Sequence, residues 1–126
     1  EMKTRDLEAK VDGAASRIDM ATKLLSGPVD RMWIAPEEAA RRAGLSYESF
    51  RKRFASTRGI APAKFQTQKR IEFAQAAIYQ GTRTFQELAD ELGFCDAFHF
   101  SKTFKCLTGE SPTEFRQKVT GGKRRA

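Results

Sequence analysis

The sequence has two cysteines, one histidine and no apolar run of the length a membrane span demands. Cys95 and Cys106 form no C-x-x-C pair, and His99 is the only histidine. Four ligands for a structural zinc cannot easily be assembled from that set, so no metal is expected. Two reduced, half-buried thiols of a cytosolic protein is the expectation instead. A span needs about 18 consecutive apolar residues, and no secretory signal opens the chain; a soluble, cytoplasmic chain with no membrane partner is expected. A Gly-rich phosphate loop is missing. His99 has no nucleophile, orienting carboxylate or second ligand near it in sequence, so no catalytic residue, enzyme activity or cofactor is expected. Alternating strand patterns are missing too, which leaves helices.

What is present is charge and phenylalanine. The net charge is +7, and ten Phe supply large apolar area within a chain that is 40% hydrophobic. The charge is uneven. Residues 1–40 hold six Lys/Arg against eight Asp/Glu, whereas residues 41–126 hold seventeen against eight. A basic excess confined to one region fits a surface for a polyanion, and equally a solvated, solubilising face. Glu1 stands where an initiator Met would be, so a piece of a longer protein is expected.

The same punctuation occurs twice. One copy runs Ala40, Gly44, Leu45, Phe50, Phe54, Gly59, Pro62, Phe65; the other runs Ala89, Gly93, Phe94, Phe100, Phe104, Gly109, Pro112, Phe115. The register slips by one residue just after Gly93. An Ala-x-x-x-Gly-apolar unit followed by a Phe-x-x-x-Phe helix is the pattern of a tight helix-turn-helix. Around the two copies the spacing predicts further helices. Leu7, Val11, Ala14, Ile18, Ala21 and Leu25 form one stripe of an N-terminal helix, with Gly13 a weak point. Pro36 with Glu37 and Glu38 opens the first unit, and Ser46 can cap its second helix. Pro62 opens a helix whose stretch Phe65–Tyr79 is uninterrupted; roughly 18 residues give about 27 Å at 1.5 Å per residue, enough to hold two lobes at a fixed distance. Thr84-Phe85-Gln86-Glu87 and Ser111-Pro112-Thr113-Glu114 read as capping boxes. The last opens a short helix followed by a mobile basic tail.

These units resemble the DNA-binding domain of the AraC/XylS family of bacterial transcription regulators, over about residues 34–117. The run Gly93-Phe94-Cys95-Asp96-Ala97-Phe98-His99-Phe100-Ser101-Lys102-Thr103-Phe104-Lys105, then Thr108-Gly109-Glu110-Ser111-Pro112 and Phe115-Arg116, follows the family's signature nearly position by position. Leu45-Ser46, Phe50, Phe54, Gly59, Pro62, Phe65, Arg70 and Ala74 follow its first half more loosely. The resemblance implies an all-α fold of about seven helices, with two helix-turn-helix lobes joined by a long linker helix. The expected divisions are 1–33, a helix and linker from an upstream domain absent here; 34–118, the double helix-turn-helix; and 119–126, the tail. Double-stranded DNA is the implied partner, together with RNA polymerase and an upstream effector-binding domain. Lys102 stands where the family usually has Arg, and Phe98 where a small or polar residue is commoner.

The candidate readers follow. On the first recognition helix Arg51 and Lys52 face outward, and Arg or Lys to guanine is the commonest specific base contact; phosphate contact is their alternative. Glu48 either accepts from cytosine N4 or pairs locally. On the second, Ala97, Phe98, His99 and Lys102 match the family's groove-facing positions. Phe98 either meets a thymine methyl or packs on Phe94, and His99 hydrogen-bonds to DNA or to the adjacent helix. Lys64, Lys69, Lys105 and the helix starts at Thr84 and Ala35 are phosphate candidates. A protein-docking module on the same scaffold is the competing function; it calls for an exposed apolar patch, whereas these outward faces carry charge.

Overall fold

The computed structural model describes residues 2–81 and 83–125, with the side chains of residues 13, 15–81 and 83–121. Its elements are α1 (Met2–Leu25), α2 (Pro36–Arg42), α3 (Tyr47–Arg58), α4 (Pro62–Gln80), α5 (Phe85–Leu92), α6 (Ala97–Thr108) and α7 (Pro112–Arg125). No strand occurs among the described residues; a lone antiparallel bridge joins Val29 to Met32. The fold is all-α, as expected. The chain divides into two units, Glu1–Gln66 and Thr67–Ala126, and α4 begins in the first and continues into the second.

The two copies of the sequence pattern become two copies of one hydrogen-bond pattern. At the end of α2 the Gly44 N–H donates to the Arg41 carbonyl (3.0 Å) and the Leu45 N–H to the Ala40 carbonyl (2.9 Å). At the end of α5 the Gly93 N–H donates to the Asp90 carbonyl (3.2 Å) and the Phe94 N–H to the Ala89 carbonyl (2.9 Å). These are paired Schellman closures, which need a left-handed residue after the helix. Gly44 (φ 78°) and Gly93 (φ 81°) supply it without a Cβ penalty. The apolar residue after each glycine then turns back to the core, and the next helix starts at a capped residue. Ser46 Oγ accepts from the Ser49 N–H (3.2 Å), and Asp96 Oδ1 from the His99 N–H (2.7 Å). The residue that shifts the register is accommodated in this second, longer turn, where Cys95 is exposed.

Packing repeats as well. Phe50 and Phe54 are buried with ring centroids 5.5 Å apart, and Phe54 meets Phe65 edge-on at 5.1 Å. In the second unit Phe100 and Phe104 lie 5.8 Å apart, and Phe104 meets Phe115 at 5.7 Å. Edge-to-face pairs at such distances add about 0.5–1.5 kcal/mol each beyond their burial. Pro62 and Pro112, buried at the first positions of α4 and α7, complete the correspondence.

The first unit adds α1, whose Ala21 and Leu25 are buried in a core with Ala39, Ala40 and Phe50. The stripe expected for α1 is followed at Ile18, Ala21 and Leu25; its members Leu7, Val11 and Ala14 lie outside the described side chains. Gly13 does not divide the helix. Between α1 and α2 the Val29 N–H donates to the Met32 carbonyl (2.7 Å) and the Met32 N–H to that of Val29 (3.0 Å). Asp30 (φ 50°) and Arg31 (φ 69°) form the two-residue turn inside this bridge. Gln66, buried, donates from Nε2 to the Ile34 carbonyl at 2.5 Å and ties the start of α4 to the segment before α2.

α7 is longer than the short helix expected. It runs through Gly121 and Gly122 to Arg125, and each glycine costs a helix only about 1 kcal/mol. Both cysteines are free and exposed, not half-buried. Cys106 lies two residues beyond the buried Phe104, about 200° around α6 from the core face.

Candidate nucleic-acid interface

Each unit presents the helix that follows its glycine turn, and the inward positions of that helix fix which residues face out. With Phe50 and Phe54 buried, Glu48, Arg51 and Lys52 of α3 are exposed. Glu48 and Lys52, one turn apart, form an ion pair at 3.3 Å. Of the two alternatives for Glu48, the free domain shows local pairing, although both side chains stay about 70% exposed and reorganise at small cost. Arg51 makes no ion pair among the described residues.

On α6 the buried pair Phe100 and Phe104 turns Phe98, Lys102 and Lys105 outward at spacings of four and three, one stripe of the helix. Phe98 is 76% exposed, the most exposed large apolar side chain among the described residues. It does not take the place on Phe94 that was its alternative. His99 does, its ring standing edge-on to Phe94 with centroids 5.3 Å apart. Ala97 is half-buried at the first helical position. Lys102 forms no ion pair among the described residues. Lys105 lies near enough to Glu114 to contribute to that carboxyl's lowered pKa, behind hydrogen bonds from the Ser111 backbone and side chain.

The phosphate candidates differ in their surroundings. Lys64 is exposed in the first turn of α4, while Lys69 is half-buried and paired with Glu72 at 3.2 Å. Ala35 precedes α2 without a side-chain cap. Thr84 caps α5 in a complete capping box, its Oγ1 accepting from the Glu87 N–H (3.1 Å) while its own N–H donates to Glu87 Oε1 (3.0 Å). Those bonds hold the Glu87 carboxyl below the usual carboxylate range. An ionised Glu87 therefore occupies part of the positive end of that helix.

Three contributions were not read from the sequence. Arg58 stacks over both Phe54 and Phe65, 5.2 and 5.1 Å from their centroids, and so covers part of the first core while remaining exposed. Arg116 lies 4.1 Å over Phe85 and donates to the Arg83 carbonyl (2.8 Å). Glu38 accepts from Arg41 and from Arg42, which hold its carboxyl down to about 2. The i, i+3 and i, i+4 spacing was a usable signal for the last. Arg58 over Phe54 shares that spacing, whereas its stacking on Phe65 and that of Arg116 on Phe85 needed tertiary contacts.

Among the described residues no group of three or more His, Cys, Asp or Glu is placed to hold a metal ion, and no helix is long and apolar enough to cross a membrane. A pair of helix-turn-helix units, each with an exposed second helix, defines a double helix-turn-helix domain. The helix-turn-helix domain family model matches residues 39–118. The chain belongs to that family, in its AraC/XylS form.

Among relatives, the uncharacterized HTH-type transcriptional regulator YidL of Escherichia coli K12 is 28% identical over 106 residues, covering 84% of this chain and 35% of its own length. The raffinose operon regulatory protein RafR of Pediococcus pentosaceus is 32% identical over 66 residues, covering 52% of this chain and 24% of its own. The chain thus spans about a quarter to a third of these curated relatives. A solved transcriptional regulator with an AraC-type DNA-binding domain, from Chromobacterium violaceum, superposes with a TM-score of 0.75 at 20% identity, covering 86% of this chain and 96% of that one. The DNA-binding domain of AdpA, solved in complex with a target DNA, gives 0.71 at 24%, covering 89% and 96%. The likeness to these two structures is one of fold.

Proposed function

We propose that this chain is the sequence-specific DNA-binding part of a bacterial transcriptional regulator, each unit laying its second helix, α3 or α6, in a major groove. The observation that carries this reading is the duplicated helix-turn-helix, with Phe50 and Phe54 or Phe100 and Phe104 of each second helix buried and an outward stripe that carries Arg51 and Lys52 or Phe98, Lys102 and Lys105 left exposed. A helix of that kind fits the major groove, and its first turns reach base edges. In this reading Glu48, Arg51 and Lys52 read bases from the first unit, and Ala97, Phe98, His99 and Lys102 from the second. Lys64, Lys69, Lys105 and the helix starts at Thr84 and Ala35, the former through the N–H groups its capping box leaves over, hold phosphates and set the register. The relatives named as regulators, and the AdpA domain solved on DNA, support the reading. It extends to RNA polymerase and an effector-binding domain as partners in the whole regulator, acting in the cytoplasm, supported by the greater length of those relatives.

The test is affinity for duplex DNA as a function of salt, on a site selected from a random pool. Each neutralised phosphate contributes about −0.9 to the slope of log K against log[salt], so roughly four contacts give about −3.6. Failure to select any site, or a flat salt dependence, overturns the proposal.

A further inference from the structure

The two recognition helices are copies inside and differ outside, and the difference falls at one place. Aligning Phe50 with Phe100 sets Lys52 against Lys102 and Glu48 against Phe98. The equivalent position is thus a carboxylate in the first unit and an aromatic ring in the second. In the first unit Glu48 holds Lys52 at 3.3 Å. In the second, Phe98 offers Lys102 no such pair. Phe98 occupies the second position of α6, in the turn that a major groove meets first, with Lys102 one turn behind it and Lys105 two turns behind. Asp96 fixes this start: its carboxylate accepts from the His99 N–H at 2.7 Å. His99, itself exposed, stands edge-on to Phe94, and Phe98 is directed away from the core.

A major groove offers this ring one strongly apolar feature, the C5-methyl of thymine. Resting on the DNA-binding reading above, we propose that Phe98 is a specificity-determining residue of the second unit and selects thymine through its C5-methyl group. Phe98 has no hydrogen-bonding atom, so it discriminates by burying that methyl. Lys102 and Lys105, on the same stripe, draw the ring to the duplex through its phosphates or neighbouring purines. The Glu48 position reads its base by accepting a hydrogen bond, so the two units favour different pyrimidine edges from equivalent places. Burying one methyl group is worth about a fourfold change in affinity.

The test uses this chain and the duplex selected from the random pool. Each thymine of that site is replaced in turn by uracil, which removes the C5-methyl and leaves the pairing edge intact. Binding is measured for the native chain, for Phe98→Ala and for Phe98→Leu, with helix content checked by circular dichroism. The expected result is one or two thymines at which uracil weakens the native chain about fourfold. Phe98→Ala binds the thymine and uracil duplexes alike, at about the level of the native chain on uracil, and Phe98→Leu retains most of the discrimination. Two results overturn the inference while leaving DNA binding intact: no thymine at which uracil matters, or an undiminished uracil penalty in Phe98→Ala. A loss in Phe98→Ala on both duplexes, with no uracil penalty in the native chain, points to stacking between bases and also overturns it. Failure to select any site overturns the DNA-binding reading itself, which separates the two.

Discussion

Gly44→Ala isolates the cost of the turn that makes the first helix-turn-helix. Gly44 sits at φ 78°, a region in which an L-residue with a Cβ costs about 1–2 kcal/mol. An added Cβ meets only Arg17 Nε, at 4.0 Å, which is ordinary contact with a flexible side chain. Sterics therefore add nothing. Alanine also restricts the unfolded chain, returning about 0.4–1 kcal/mol. The net expected loss is about 1 kcal/mol, with both closing hydrogen bonds kept. Trp33, the only tryptophan, lies in the same unit, so its fluorescence during urea unfolding reads the change where it occurs. Gly44→Asn should lose less, because asparagine tolerates the left-handed region better. Gly93→Ala, at φ 81° with Arg70 Nη1 at 3.7 Å, should cost about the same by circular dichroism. A loss above about 3 kcal/mol at Gly44, or asparagine no better than alanine, would refute backbone strain as the cause.

Arg51→Ala should cost about 1–3 kcal/mol of specific affinity and relax preference at one base pair, while Lys105→Ala weakens specific and random duplexes about equally; competition binding with both duplexes decides, and equal losses for Arg51→Ala mark it as a phosphate contact. Glu87 and Glu114 both have pKa values lowered from 4.5, first by hydrogen bonds from the backbone of Thr84 and Ser111. A depressed carboxyl stabilises the fold fully above its unfolded pKa and loses that contribution as pH falls through its folded value. Thermal midpoints should therefore decline below about pH 4.5, and by less in the Glu87→Ala, Glu114→Ala chain; an unchanged acid decline in that variant places the cause elsewhere.

The backbone was legible because its rules are local. Gly44 and Gly93 end a helix whose last apolar residue precedes them by a fixed step, and Phe50/Phe54 and Phe100/Phe104 repeat at the period that buries one helix face. Thr84 with Glu87 and Ser111 with Glu114 carry their capping partners within four residues, so the boxes follow from sequence alone. The turn at Asp30 and Arg31 obeys no such rule. Two-residue turns of this kind favour Asn-Gly or Asp-Gly, and neither residue here is glycine, so only the Val29–Met32 hydrogen bonds reveal it. Arg58 and Arg116 were equally hidden. An arginine in a basic chain reads as solvated until the rings beneath it are located, and Phe65 under Arg58 and Phe85 under Arg116 come from other helices.

The candidate site divides along the same line. Outward orientation was legible, since Phe98 and Lys102 share a stripe once Phe100 and Phe104 are inside. What each outward residue touches was not, and His99 shows why. Phe98 was the candidate for the space beside Phe94 and His99 was expected to hydrogen-bond, and helical period alone places the two on opposite flanks of the core face. The structure sets the exposed His99 edge-on to Phe94 and leaves Phe98 in the open, with Asp96 capping the helix start through the His99 N–H. The buried phenylalanine pair of the second helix is the same in both units, so its outer residues can differ at little cost to folding. An exposed Glu48–Lys52 pair contributes a few tenths of a kcal/mol, and a Phe98 side chain left in water gains little on folding. Two units with one backbone pattern can therefore carry a hydrogen-bond acceptor on one second helix and an apolar ring on the other, and the outward chemistry is free to vary where the packing is indifferent.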